Sequence, residues 1–74
     1  MLLHVETRPG LHGDKEPVAF MLGNTRVEVA EILDRWIGSD HSYFRICASD
    51  HATYILRHEP LLNQWELTLF KAQI

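Results

Sequence analysis

From Val18 to Leu69 the chain is a succession of short apolar runs separated by turn signals. The runs are VAFML, the mixed stretch TRVEVAEILDRW, YFRICA, TYILRH and WELTLF, with Gly23-Asn24 and Asp50-His51 at two of the joints. Apolar residues recurring at period two belong on half-buried strands, and joints of this composition belong in tight hairpins. The pattern predicts an all-β fold: a curled five- to six-stranded antiparallel meander, forming an SH3-like small barrel or half-barrel. Such a fold hosts many activities and dictates none.

Seventy-four residues make one small domain. Residues 1–16 read as an N-terminal strand and loop, and residues 17–70 as the β meander. A chain of this size hides only about 60% of the surface it exposes when unfolded, so the core is thin. Cys47 is the single cysteine. No internal disulfide can form, which suits a reducing compartment. LLHV at the N-terminus lacks a charged segment leading into a long apolar one, and no apolar run is long enough to span a bilayer. A cytoplasmic location without membrane contact follows as an expectation. The formal net charge is −3, a poor starting point for general phosphate binding.

Local patterns set the expected registers. RPGLHGDKEP, residues 8–17, holds two of the three prolines and two of the four glycines, and reads as a loop. With Gly23-Asn24 in a two-residue turn, Leu22 faces Thr25, Phe20 faces Val27 and Val18 faces Val29 on an apolar face. Met21 with Arg26, and Ala19 with Glu28, occupy the wetter one. Val29, Ile32, Leu33, Trp36 and Ile37 fit a helical stripe, yet a bulge near Ala30-Glu31 would place apolar residues on one face of a bent strand; pattern alone divides evenly between them. An even loop centred on Asp50-His51 sets Ile46 against Ile55, Phe44 against Arg57 and Tyr43 against His58, and avoids facing Arg45 with Arg57. Leu61-Leu62-Asn63 reads as a loop, and Trp65, Leu67 and Leu69 alternate along a closing strand. The expected core is Phe20, Val27, Val29, Ile46, Ile55 and Leu67.

The span from Pro17 to Leu67 resembles a family of small bacterial β-rich proteins of unknown function. The family's V-x-x-[IVL]-L-x-x-W element is matched by Val29, Ile32, Leu33 and Trp36, and its Tyr-Phe-Arg strand by Tyr43, Phe44 and Arg45. Tyr54 with Leu56, and Trp65 with Leu67, match the later Tyr-x-Leu and Trp-x-Leu pairs. The resemblance implies that residues 29–36 form a bent strand. At the second turn His51 stands where the family has Gly, a substitution that bears on the turn type because non-Gly residues rarely adopt positive φ.

Chemistry-bearing motifs are sparse. His4, His12, His41, His51 and His58 show neither the i,i+4 helical nor the i,i+2 strand spacing of a ligand pair. No metal, other cofactor or small-molecule substrate is expected. Nucleophile elbows, phosphate-cradling glycine loops and zinc-protease motifs are missing, so the expectation is not an enzyme. Aromatic and arginine residues interleaved in Trp36, Tyr43, Arg45, Tyr54, Leu56, Arg57 and His58 form the candidate binding set. The set points to a non-enzymatic interaction module that docks a protein partner, or a second copy as a homodimer, through a hairpin face. The alternative is a small-barrel binder of single-stranded nucleic acid that stacks bases on Tyr43 and Tyr54 beside Arg45 and Arg57. Carboxylates interspersed around those arginines would favour a protein; an isolated basic aromatic strip would favour nucleic acid.

Overall fold

The apolar alternation has only one way to be buried in so short a chain, which is to curl the strands around a shared interior. The computed structural model describes residues 2–10 and 15–71, the side chains of 69–71 excepted. These form seven antiparallel strands: β1 (Leu2–Leu3), β2 (Val5–Pro9), β3 (Lys15–Leu22), β4 (Thr25–Ile37), β5 (Ser42–Ala48), β6 (Thr53–Glu59) and β7 (Gln64–Lys71). The sheet order is β1-β7-β6-β5-β4-β3-β2. Only His4 separates the two outermost strands, and its carbonyl accepts the Met21 N–H at 3.0 Å. The N-terminal segment therefore joins both ends of the sheet into a nearly closed barrel. That junction explains why the strand count is seven rather than five or six: the first strand breaks at His4 and serves both edges, which protects them from stray pairing.

The first hairpin follows its turn chemistry. Gly23 sits at φ 58 while Asn24 does not take positive φ, so the expectation that both turn residues would do so holds for the glycine alone. Leu22, Met21, Phe20 and Ala19 face Thr25, Arg26, Val27 and Glu28 as the pattern requires. The ladder ends there. Val18 and Val29 are not paired; on its other side β4 runs along β5, where Val29 faces Ala48. The strand bends at irregularities between Val29 and Glu31 and again between Ile32 and Asp34. The helical reading of this segment is thereby replaced by one long bulged strand. On the outer face Ala19 is fully buried rather than wet. Glu6 and Glu28 flank it in the ladder, and Arg26 bridges both carboxylates at 2.7 and 3.0 Å.

Residues 8–17 are less of a loop than their prolines suggest. Pro9 pairs with Lys15, Arg8 with Glu16 and Thr7 with Pro17, beside a bulge at Glu6/Thr7. Proline is tolerated at such irregular edge positions because no ladder donor is needed there. β3 therefore starts at Lys15, two residues ahead of the expected boundary. The rest of this predicted loop, residues 11–14 with His12, lies outside the described residues.

The second hairpin shifts by one residue from its expected register. Ile46 faces Tyr54, Phe44 faces Leu56, Arg45 faces Ile55 and Tyr43 faces Arg57. The loop is the three residues Ser49, Asp50 and His51, with His51 at φ 68. This is a turn followed by a left-handed residue, a standard three-residue hairpin connection. Asp50 locks it: Oδ1 accepts the Ala52 N–H at 2.9 Å, and Oδ2 accepts the Tyr54 hydroxyl at 3.0 Å. A left-handed conformation costs a non-glycine residue roughly 1 kcal/mol. His51→Gly is expected to raise the melting temperature by about 4–8 °C; an unchanged or lowered midpoint in a thermal scan would contradict the strain at this position.

The new register redistributes the core. Phe20, Val27, Phe44, Ile46, Ala48, Ala52, Tyr54, Leu56 and Trp65 are buried together. Phe20 meets Tyr54 edge-on with ring centroids 5.0 Å apart. Of the expected core, Val29 and Leu67 are only partly buried but pack against this cluster. Ile55 turns to the outer face, since it lies one position from the inward Tyr54 and Leu56. Side chain 69 lies outside the described residues.

Candidate interaction site

Register alone assembles the outer surface of the sheet. Trp36, Tyr43, Arg57, Glu66 and Leu2 stand side by side across β4, β5, β6, β7 and β1. Asp34, Arg45 and Ile55 form the next row. Trp36 is 50% exposed, while Tyr43 and Arg57 are half-buried. Both arginines of the expected site carry a carboxylate partner. Arg57 is bonded to Glu66 and Arg45 to Asp34. The Glu66 carboxylate, and Tyr43 across the ladder, hold Arg57 above the usual guanidinium value, and Arg57 in turn holds Glu66 below the ordinary carboxylate range. The outer face is thus a mosaic of paired charges and aromatic rings.

Tyr54 and Leu56 do not belong to it. The one-residue register shift sends both inward, where they are 2% and 0% exposed. Burial, and then the Asp50 carboxylate, push the Tyr54 hydroxyl up to about 12. His58 also points inward. It faces Ser42 rather than Tyr43, is buried, and stacks on Trp65 with ring centroids 4.3 Å apart. Of the seven expected site residues, the surface keeps Trp36, Tyr43, Arg45 and Arg57.

His58 leads to a feature that the sequence patterns did not disclose. One end of the barrel, where the β4–β5 and β6–β7 turns lie, opens into a pocket of about 460 Å³. Phe44, Ile37 and Pro60 supply apolar walls, and Lys15, Ser42, His58 and Asn63 supply polar ones. Asn63, held at φ 50 in the turn, joins two of these groups. Its Oδ1 takes the Lys15 ammonium at 3.4 Å and lies 3.1 Å from His58 Nε2. Since an ammonium only donates, the shared atom is the amide oxygen, and Nε2 carries the proton. At the neighbouring seam the ladder between β3 and β4 has ended. There Arg35 bonds Glu16, its guanidinium 5.5 Å from the centre of the Phe44 ring, a favourable cation–π arrangement. In the β4–β5 turn Gly38 donates its N–H to the His41 carbonyl at 2.8 Å. A Cβ at Gly38 would come within 2.9 Å of that oxygen, so the tight turn requires glycine.

Exposed apolar side chains gather around the same end. Leu61 is 92% exposed, Leu62 and Ile37 are 62% exposed, and Trp36 follows beside Ile37. Among the described residues no three His, Cys, Asp or Glu side chains converge as a metal site. His41 and His51 lie at opposite ends of β5. Cys47 is a free, half-buried thiol on the outer face beside Thr53. No helix among the described residues is long and apolar enough to cross a membrane. Compared with protein-family models, curated proteins and solved structures, the chain matches none.

Proposed function

We propose that this protein is a non-enzymatic interaction module that docks a partner protein through the turn-bearing end of the barrel and the adjoining Trp36–Tyr43 row. The supporting observation is the gathering of Trp36, Ile37, Leu61 and Leu62 at one end of a small domain. Large apolar side chains clustered in this way tend to mark contact surfaces. Aromatic rings flanked by neutralised arginines suit the centre of a protein interface, with the ion pairs at its rim.

The electrostatics weigh against nucleic acid. Binding a phosphate chain gains most from unneutralised cations, whereas Arg45 and Arg57 already hold Asp34 and Glu66 in a chain of net charge −3. Trp36→Ala tests the proposal, because this half-exposed ring is separable from the core. The variant is expected to keep its melting temperature within a few degrees and to weaken partner association by about tenfold or more. Affinity capture from the native host, followed by titration of the captured partner, measures both. Unchanged partner affinity in Trp36→Ala would remove the ring from the interface. Retention of single-stranded DNA with steep salt dependence, and no protein partner, would replace the proposal with the nucleic-acid reading.

A further inference from the structure

We infer that the pocket at the barrel mouth receives the C-terminal carboxylate of a partner chain that ends in a large apolar residue. The inference rests on the docking reading above and specifies the partner's chemistry. The polar lining is biased toward donors. Lys15 brings an ammonium, Ser42 a hydroxyl, and no acidic residue lines the pocket among the described residues. Asn63 has its amide oxygen engaged by both Lys15 and His58, so its remaining capacity is the two N–H donors of the amide nitrogen. A pocket furnished this way favours an acceptor, and an anionic acceptor gains charge-assisted bonds that a neutral one does not.

The remaining walls define what carries the charge. Phe44, Ile37 and Pro60 are apolar, and the His58 ring, stacked on Trp65, adds a flat surface beside them. The carboxylate therefore comes attached to an apolar group seated against Phe44. A volume of about 460 Å³ lies within the range of ordinary ligand pockets. The rim distinguishes a chain end from a free small acid. Leu61 and Leu62 lie exposed outside the pocket lining, a surface that a small acid would leave uncovered and the preceding residues of a peptide would cover. Capture of a chain-terminal carboxylate is an established mode of peptide recognition.

The test uses a short acetylated Gly-Ser peptide ending in phenylalanine, prepared as the free acid and as the C-terminal amide, with phenylacetate as a third probe. Each is titrated calorimetrically into the wild type and into Lys15→Met, a change at an exposed position. The free acid is expected to bind about tenfold or more tightly than the amide, and more tightly than phenylacetate. Lys15→Met is expected to remove most of the difference between acid and amide without altering the melting temperature. Equal affinities for acid and amide, or no binding of either, would overturn the inference. So would a preference for the free acid that survives Lys15→Met. Phenylacetate binding as tightly as the peptide would overturn the assignment to a chain end. Failure of these probes while a captured protein still depends on Trp36 would defeat the carboxylate pocket alone. Loss of both would defeat the docking reading as well.

Discussion

Phe20→Ala is expected to cost about 3–5 kcal/mol, the range for emptying a large aromatic site in a core. Phe20 is fully buried, lies between Val5 of β2 and Val27 of β4 in the ladder, and meets the Tyr54 ring of β6 edge-on. Its side chain thus ties the N-terminal closing strand to the opposite wall of the barrel. Little can collapse into the space it leaves, because the surrounding strands are fixed by their ladders. A single core in a chain of this length supplies about 3–5 kcal/mol in total, so the variant is expected to be largely unfolded at 25 °C. Circular dichroism and urea titration check this directly. A cooperative transition within a few degrees of the wild type would show that Phe20 does not hold the barrel together.

What was legible depended on whether a turn declares its own length. Gly23-Asn24 does: two residues that accept positive φ, flanked by Phe20 and Val27, leave one register that buries both. Asp50-His51 does not. The loop takes three residues with the left-handed position filled by histidine, and its stability comes from Asp50 bonding Ala52 N and the Tyr54 hydroxyl. The repulsion between Arg45 and Arg57 that excluded one register leaves two others free of it, and the observed pairing of Arg45 with Ile55 is one of those. One residue of slip turned Tyr54 and Leu56 from surface to core and Ile55 from core to surface. The bend of β4 was only half legible: the apolar phase change near Ala30 suits a bulge that keeps Val29 and Ile32 on the core side, but the same residues fit a helical stripe equally well. The mouth pocket was not legible. Lys15 and Asn63 meet across 48 positions of sequence, and only closure of the barrel by the N-terminal segment brings them together. A hint was present in His58, a polar residue whose position follows the inward alternation of Tyr54 and Leu56 once the register is right.

Tyr54→Ala is expected to unfold the protein rather than merely weaken association, because the side chain that would have been a surface anchor in the even-loop register is 2% exposed. Truncation removes a buried ring in contact with Phe20 and costs about 3–5 kcal/mol, comparable to the whole stability of so small a core. Tyr54→Phe separates the ring from its hydroxyl. It keeps the packing, loses the bond to Asp50, and is expected to cost about 1 kcal/mol. The pair of variants also carries a pH signature. Burial and the Asp50 carboxylate hold the hydroxyl at about 12 against an ordinary 10.0, so the folded state keeps a proton that the unfolded state gives up. With the folded value raised, this contribution is fully present below pH 10 and is lost as pH climbs through about 12. Urea midpoints measured from pH 9 to 12 are therefore expected to fall more steeply for the wild type than for Tyr54→Phe. Parallel curves for the two proteins would mean that the hydroxyl is as free to ionise folded as unfolded, and would remove Tyr54 from the interior of the barrel. A folded Tyr54→Ala variant with reduced partner affinity would do the same from the other direction, returning Tyr54 to the surface and the second hairpin to its even-loop register.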